Sequence, residues 1–183
     1  VSESLAIQLE KARFSRALQI AESLAEHRAL LTTAELARIN QVIIGREPKD
    51  SDIEPFDPWR QEPVTLKLPS GRMETFAVIA DPKKMSREQL HRATERAEAG
   101  AAIDAAVDIY VGLVAAHAFR DGNRRTAVCA AHYFLARYGI PLSGMAIHEI
   151  GLGDVRVPAD VQALHETVHQ MAKFVASKNK RDS

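Results

Sequence analysis

Residues 117–127 read His117-Ala118-Phe119-Arg120-Asp121-Gly122-Asn123-Arg124-Arg125-Thr126-Ala127, and they join two runs with the marks of buried helices. The run before them, Ile103 to Ala116, carries only Asp104 and Asp108 as charges. The run after them, Arg124 to Tyr138, repeats Val128, Ala131, Phe134, Leu135 and Tyr138 at three- to four-residue spacing, the period of a core helix. A joint between two core helices is a poor place for a histidine, a carboxylate and two arginines unless they serve one another or a ligand.

The chemistry of that joint is coherent. Gly122 and Asn123 stand where the second helix begins, and asparagine is a favoured N-cap. The first N–H groups of a helix lack intrahelical acceptors and lie at the positive end of its dipole, which makes an anion site suited to phosphate. Arg124 and Arg125 add charge in the fork geometry that matches phosphate oxygens. Asp121 suits a Mg²⁺ ion, which commonly takes one or two carboxylates together with substrate oxygens. His117, at the end of the preceding helix, is placed to accept a proton from a hydroxyl near neutral pH. A base, a metal ligand and a phosphate cradle within nine residues describe group transfer from a nucleotide. The competing structural reading is ordinary helix capping by Asp, Gly and Asn, with the arginines paired to carboxylates.

These residues resemble the signature of the Fic/Doc (Fido) family. Its Fic form reads His-Pro-Phe-x-(Asp/Glu)-Gly-Asn-Gly-Arg-x-x-Arg, and its Doc form reads His-x-Phe-x-Asp-Ala-Asn-Lys-Arg-Thr-Ala. His117, Phe119, Asp121, Asn123 and Arg125 match both forms. Gly122 follows Fic, whereas Ala118, Arg124 and Thr126-Ala127 follow Doc more closely, and Val128 replaces the second arginine of Fic. The resemblance covers roughly residues 30–150 and implies a mainly α fold, a compact Fido-type helical bundle with a small β-hairpin flap.

The same resemblance implies roles. His117 is the general base for a Ser, Thr or Tyr hydroxyl on a target protein, and Asp121 holds the Mg²⁺. Gly122, Asn123 and Arg124 form the anion hole through backbone amides, with the Asn123 side chain assisting. Arg125 contacts the phosphates of ATP, and Phe119 anchors the loop in the core. Arg124 stands where Fic enzymes have glycine and Doc has lysine. Doc binds its nucleotide in the reversed sense and transfers the terminal phosphoryl group, so Arg124 leans the expectation toward phosphoryl transfer. Fic-like AMP transfer is the alternative, and a catalytically inactive binding module is the alternative of another class.

Elsewhere the sequence is compatible rather than specific. Leu5, Leu9, Ala12, Leu18, Ala21, Leu24 and Ala25 give a helix over 4–28. Thr32-Thr33-Ala34-Glu35 caps a helix carrying Leu36, Ile39, Val42 and Ile43, and Gly45 ends it. Pro48, Pro55, Pro58 and Pro63 punctuate a loop that Phe56 and Trp59 tuck down. Val64–Leu68 and Glu74–Ile79 are β-rich around a Pro-Ser-Gly-Arg turn and predict a hairpin. Its position, upstream of the motif, matches the family's flap, which implies that Thr65, Leu66, Lys67, Phe76, Ala77 and Val78 receive the target protein by strand addition. Ser86 is expected to cap a helix running to Glu98. After Gly139 no pattern is visible until a last helix over 159–177, followed by a frayed tail, 178–183. The expected organisation is one Fido-type domain, 1–183, with an N-terminal helix in 1–29, a core in 30–150, the flap at 63–80 and the motif at 117–127.

Composition narrows the class further. Lys plus Arg and Asp plus Glu each number 24, so no overall field draws the chain to nucleic acid or to an anionic membrane. No apolar run reaches the roughly 18 residues of a membrane span. The single cysteine, Cys129, excludes an intrachain disulfide and reads as a small buried hydrophobe, in keeping with a bacterial cytoplasm or delivery from it. His165-Glu166-Thr167-Val168-His169 matches a zinc-hydrolase pattern, but no third ligand follows in a fitting context, and a coincidence on an amphipathic helix is the preferred reading. His27, His91, His132 and His148 are taken as surface or structural. Thr94 and Glu98 fit the first part of the family's inhibitory motif, but Ala99 follows them, so a separate antitoxin, or none, is expected.

Overall fold

The apolar runs on either side of the motif form the centre of the molecule in a computed structural model, which describes residues 4–49, 54–68, 70–150 and 153–180. Among the described residues seven helices and one hairpin follow in the order α1 (Leu5–Glu26), α2 (Thr33–Ile44), β1 (Val64–Lys67), β2 (Met73–Phe76), α3 (Pro82–Glu98), α4 (Ala102–Ala116), α5 (Asn123–Arg137), α6 (Gly144–Glu149) and α7 (Pro158–Asn179). The fold is mainly α with a small antiparallel hairpin. Pro69 of the expected turn and tail residues 181–183 lie outside the described residues.

α5 is the axis of the bundle. Thr126-Ala127-Val128-Cys129-Ala130-Ala131 is buried without interruption, because α1, α2, α4 and α6 all pack against it. Small residues permit that crowding. α1 approaches α5 along Ala17, Ala21 and Ala25, one alanine per turn. α6 comes so close that a Cβ on Gly144 would lie 2.6 Å from the Val128 carbonyl oxygen, so only glycine fits there. α4 packs α5 on one side and α3 and α7 on others, and buries Ile109, Tyr110 and Leu113. Each fully buried leucine or isoleucine contributes about 1.5–3 kcal/mol of transfer free energy.

The helix starts and stops follow local chemistry where the sequence offers it. Thr32 accepts from the Glu35 N–H and Gly45 closes α2 at a positive φ of 69°, as expected. Two expectations change. Asp81, not Ser86, caps α3 by accepting from the Lys84 N–H, with Pro82 in the first turn; Ser86 is fully buried inside the helix. α6 occupies the stretch after Gly139 that shows no pattern, because six residues capped by Ser143 are too few for a periodicity to register. The apolar stripe of α1 is buried only in its second half: Leu5 is 71% and Leu9 47% exposed, and the first turns run beyond the core.

The hairpin pairs Val64 with Phe76, Thr65 with Thr75, Leu66 with Glu74 and Lys67 with Met73. β2 ends at Phe76, so Ala77 and Val78 lie past the strand rather than in it. Period-two alternation puts Val64, Leu66, Glu74 and Phe76 on the half-buried face and Thr65, Lys67, Met73 and Thr75 on the exposed one. Two strands alone are marginal in water. The hairpin is held by the Arg156–Glu74 ion pair, by the Arg156 guanidinium 5.3 Å over the Phe76 ring, and by the buried Arg60.

Candidate functional site

The motif loop is fixed from three sides. The segment Pro58–Arg60 runs antiparallel to Ala118–Arg120: the Arg60 N–H donates to the Ala118 carbonyl at 2.9 Å and the Arg120 N–H to that of Pro58 at 2.9 Å. Trp59 stacks on Phe119 with ring centres 4.6 Å apart. Phe119 is buried as expected, and Trp59 pins the proline-rich loop onto it. On a second side Asn40 of α2, fully buried, donates to the Asp121 carbonyl at 2.8 Å and to the Thr126 hydroxyl at 3.0 Å. The third constraint is internal. Asn123 accepts from the Phe119 N–H at 2.8 Å and donates to the Phe119 carbonyl at 2.9 Å.

That internal pair corrects the sequence expectation for Asn123. Its side chain closes the loop, and the N-cap of α5 is Gly122, at φ 70°. The positive φ favours glycine at Gly122, and a Cβ there would sit 3.0 Å from an Ile44 methyl, so α2 would have to give way slightly. The Gly122 N–H donates to Asp121 Oδ1 at 2.6 Å, which removes that amide from an anion hole. The first helical bond runs from the Thr126 N–H to the Gly122 carbonyl. The amides of Asn123, Arg124 and Arg125 therefore make up the open turn at the positive end of α5.

His117 ends α4 with φ 51°, an uncommon left-handed angle for a side-chain-bearing residue. Its ring lies 4.9 Å from that of Phe76, and Nδ1 is 3.4 Å from the Val114 carbonyl. A carbonyl can only accept, so Nδ1 carries the proton and Nε2 is the basic atom. Burial holds the imidazole below the usual histidine range; the Val114 contact raises it, the nearby Arg60 and Arg124 lower it further, and Asp121 raises it. A ring so placed is neutral at pH 7 and ready to take a proton.

Two clefts meet at His117, Leu66 and Arg124. One, of about 270 Å³, is lined also by Asp121, Gly122, Asn123 and Arg125. The other, of about 110 Å³, is walled by Phe76, Asp154 and Arg156. The residues expected in the nucleotide site thus converge on the larger cleft. The flap residues do so unequally. Leu66 and Phe76 face the clefts; Thr65 bonds Thr75 across the exposed face at 2.7 Å; Ala77 contributes its carbonyl to Arg60; Val78 is exposed.

Asp121 is exposed, with one oxygen engaged by Gly122. Among the described residues no three His, Cys, Asp or Glu side chains converge to hold a metal. The donor set therefore fits a Mg²⁺ that shares one protein carboxylate with phosphate oxygens, not a site built from protein alone. Arg125 already has a partner, since its guanidinium meets the Glu10 carboxylate of α1 at 2.5 Å. The His-Glu-x-x-His rings are engaged too. His165 reaches Asp104 at 2.8 Å and Asp108 at 3.1 Å, and His169 reaches Asp104 at 2.9 Å, so they fasten α7 to α4.

Sequence reasoning passed over Arg60, Asn40 and Glu10. Only Asn40 left a signal, as an amide set among Leu36, Ile39 and Ile43 on a buried helix face. Comparison with known proteins gives an independent line. A family model described as Fic/DOC family matches residues 30–135. No curated protein matches. A Fic domain containing signaling protein from Bacteroides thetaiotaomicron shares the fold with a TM-score of 0.63 at 18% identity, over 97% of this chain and 70% of that one. IbpAFic2, solved covalently tethered to Cdc42, gives a TM-score of 0.58 at 16% identity; the match covers 91% of this chain and 54% of that one, about half its length. No described helix is long and apolar enough to cross a membrane.

Proposed function

Because the chain belongs to the Fic/DOC family, we propose that it modifies a hydroxyl on a target protein with a group taken from ATP, with Mg²⁺ present. The family in general transfers nucleotide-derived groups to proteins. The observation that carries the reading is the convergence on one cleft of a neutral, half-buried His117, an exposed Asp121 and the open first turn of α5.

In the reaction the Nε2 atom of His117 takes the proton of a Ser, Thr or Tyr hydroxyl. The hydroxyl oxygen bonds to the γ-phosphorus, the bond from that phosphorus to its bridging oxygen breaks, and ADP leaves. The amides of Asn123 and Arg124 and the charges of Arg124 and Arg125 hold the phosphates and stabilise the charge that develops on them. Mg²⁺ bound by Asp121 would supply further neutralisation of phosphate charge. Arg124 favours γ-transfer: it lines both clefts beside His117 and adds bulk and charge where room for a different phosphate orientation would be needed. AMP transfer, in which the oxygen bonds to the α-phosphorus and pyrophosphate leaves, is the second form of the same chemistry.

The hairpin is the proposed dock for the target's extended chain, by main-chain pairing beside His117. The capture of IbpAFic2 on Cdc42 supports a protein acceptor. A toxin role with a separate antitoxin belongs to the same proposal at the level of the family.

The test incubates the protein and a bacterial lysate with Mg²⁺ and ATP labelled in parallel on the α- and γ-phosphate. Label on protein from the γ-position alone is expected, and Arg124→Gly should shift incorporation toward the α-position. Label from neither position, with binding of ATP intact, would leave the binding-module alternative in its place.

A further inference from the structure

Arg60 is a buried cation held by backbone carbonyls. It is 5% exposed, and among the described residues it forms no ion pair. Instead its five N–H groups all donate to backbone carbonyls. Nε reaches His117 at 2.6 Å; one terminal nitrogen reaches Glu62 at 2.8 Å and Phe76 at 2.9 Å; the other reaches Ala77 at 2.9 Å and Ala116 at 3.5 Å. Burying a charge without a counter-ion is unfavourable unless every donor is satisfied. Here the last carbonyls of α4, at the negative end of its dipole, do part of that work.

The carbonyls come from separate elements with different tasks. Those of Ala116 and His117 belong to the left-handed turn that aims the imidazole. Those of Phe76 and Ala77 belong to the end of β2, whose Phe76 ring faces that imidazole. One rigid, planar group therefore sets the distance from the hairpin to His117. A lysine has three donors at one point and cannot reach both groups in the same plane.

We propose that Arg60 is a positioning residue, which registers the hairpin that receives the target chain against the base His117. The inference rests on the proposed reaction for its catalytic consequence, but the coupling itself is a property of the fold. A mere scaffold residue would weaken the whole molecule. A positioning residue loosens the hairpin and the His117 turn together and spares the phosphate loop, because none of the Arg60 side-chain hydrogen bonds goes to residues 122–125.

The test uses the full chain with Arg60→Lys and Arg60→Met. Amide hydrogen exchange would be followed at 64–67 and 73–76 against 131–135 of α5, with NMR of the His117 ring. In Arg60→Lys the hairpin amides are expected to exchange at least about tenfold faster and the ring signal to move, while α5 is unchanged. ATP affinity by calorimetry should stay within about twofold, and labelling of lysate protein should fall on the order of 100-fold, as for a misplaced reactant. In Arg60→Met the His117 titration should also move up, since a nearby positive charge is gone. If Arg60→Met does not fold, Arg60→Lys carries the test alone. Hairpin exchange equal to wild type, or a rise shared equally by α5, overturns the proposal. Loosened hairpin and ring with no label even in wild type would uphold the coupling and sink the proposed reaction.

Discussion

Two histidine patterns in this chain look catalytic on paper, and the fold treats them in opposite ways. His117 lies where α4 meets α5 with a carbonyl, an aromatic ring and two guanidinium groups around it, and its pKa is depressed, with burial the largest cause. His165, on α7, has carboxylates on both ring nitrogens, and the hydrogen bond to Asp108 leads the effects that raise its pKa. For Asp104 burial alone would raise the pKa, but the bonds from His169 and His165 outweigh it and lower it. The first ring is kept neutral and able to accept a proton. The second is shifted toward its charged form and spends both nitrogens on holding a helix. Spacing alone does not decide what a histidine does; the groups facing it do.

Exchanging the consequences of the two sites is the strongest way to break that contrast. His117→Ala should lower transfer by about 10²- to 10⁴-fold, the usual range for a lost general base, while melting temperature and ATP binding stay near wild type. His165→Ala should leave transfer near wild type and lower stability by about 1–2 kcal/mol, a modest figure because Asp108 and His169 are each more than a third exposed. Equal turnover in the first variant, or lost turnover at full stability in the second, would reverse the assignment.

Titration sharpens the contrast without relying on activity. The His117 ring should titrate below the ordinary value of 6.5 and the His165 ring above it, read by NMR. For His165 the folded pKa exceeds the unfolded one, so its contribution to stability is fully present below pH 6.5 and is lost as pH rises through the folded pKa. Chemical denaturation of wild type and His165→Ala should therefore converge on the alkaline side; a constant gap would count against the pin. For His117 the sign is opposite. Its contribution is present above 6.5 and lost as pH falls through its depressed value, and the acid-side midpoint of transfer should fall below 6.5.

The smallest expected effect concerns Arg125. Its partner Glu10 is 57% exposed, and pairs open to solvent on one side contribute little, so Glu10→Gln should raise ATP affinity only about two- to fivefold by calorimetry. A far larger gain would mean that α1 guards the phosphate loop more firmly than exposed electrostatics permits.

The helices around the motif were legible because their apolar period spans fifteen residues each, and α2 because Thr32 and Gly45 mark its ends. The hairpin was legible from its alternation. What escaped was set by distance along the chain. Arg60 reads as one more charge in a polar loop, since the carbonyls that define it lie as far as 57 residues away. Glu10 meets Arg125 across 115 residues. Asn123 was misassigned because an N-cap asparagine and one that clasps the previous turn have the same neighbours in sequence; only the 2.8 Å contact to the Phe119 N–H separates them.

Cys129, fully buried on the face-to-face centre of α5, gives the protein an internal clock. Burial pushes its thiol well above the usual range, so the reactive thiolate is disfavoured while the bundle is closed. It is also the sole cysteine of the chain. The rate at which a thiol reagent labels the protein thus times how often the core parts around α5, and any ligand that tightens the bundle should slow that clock in proportion to its binding.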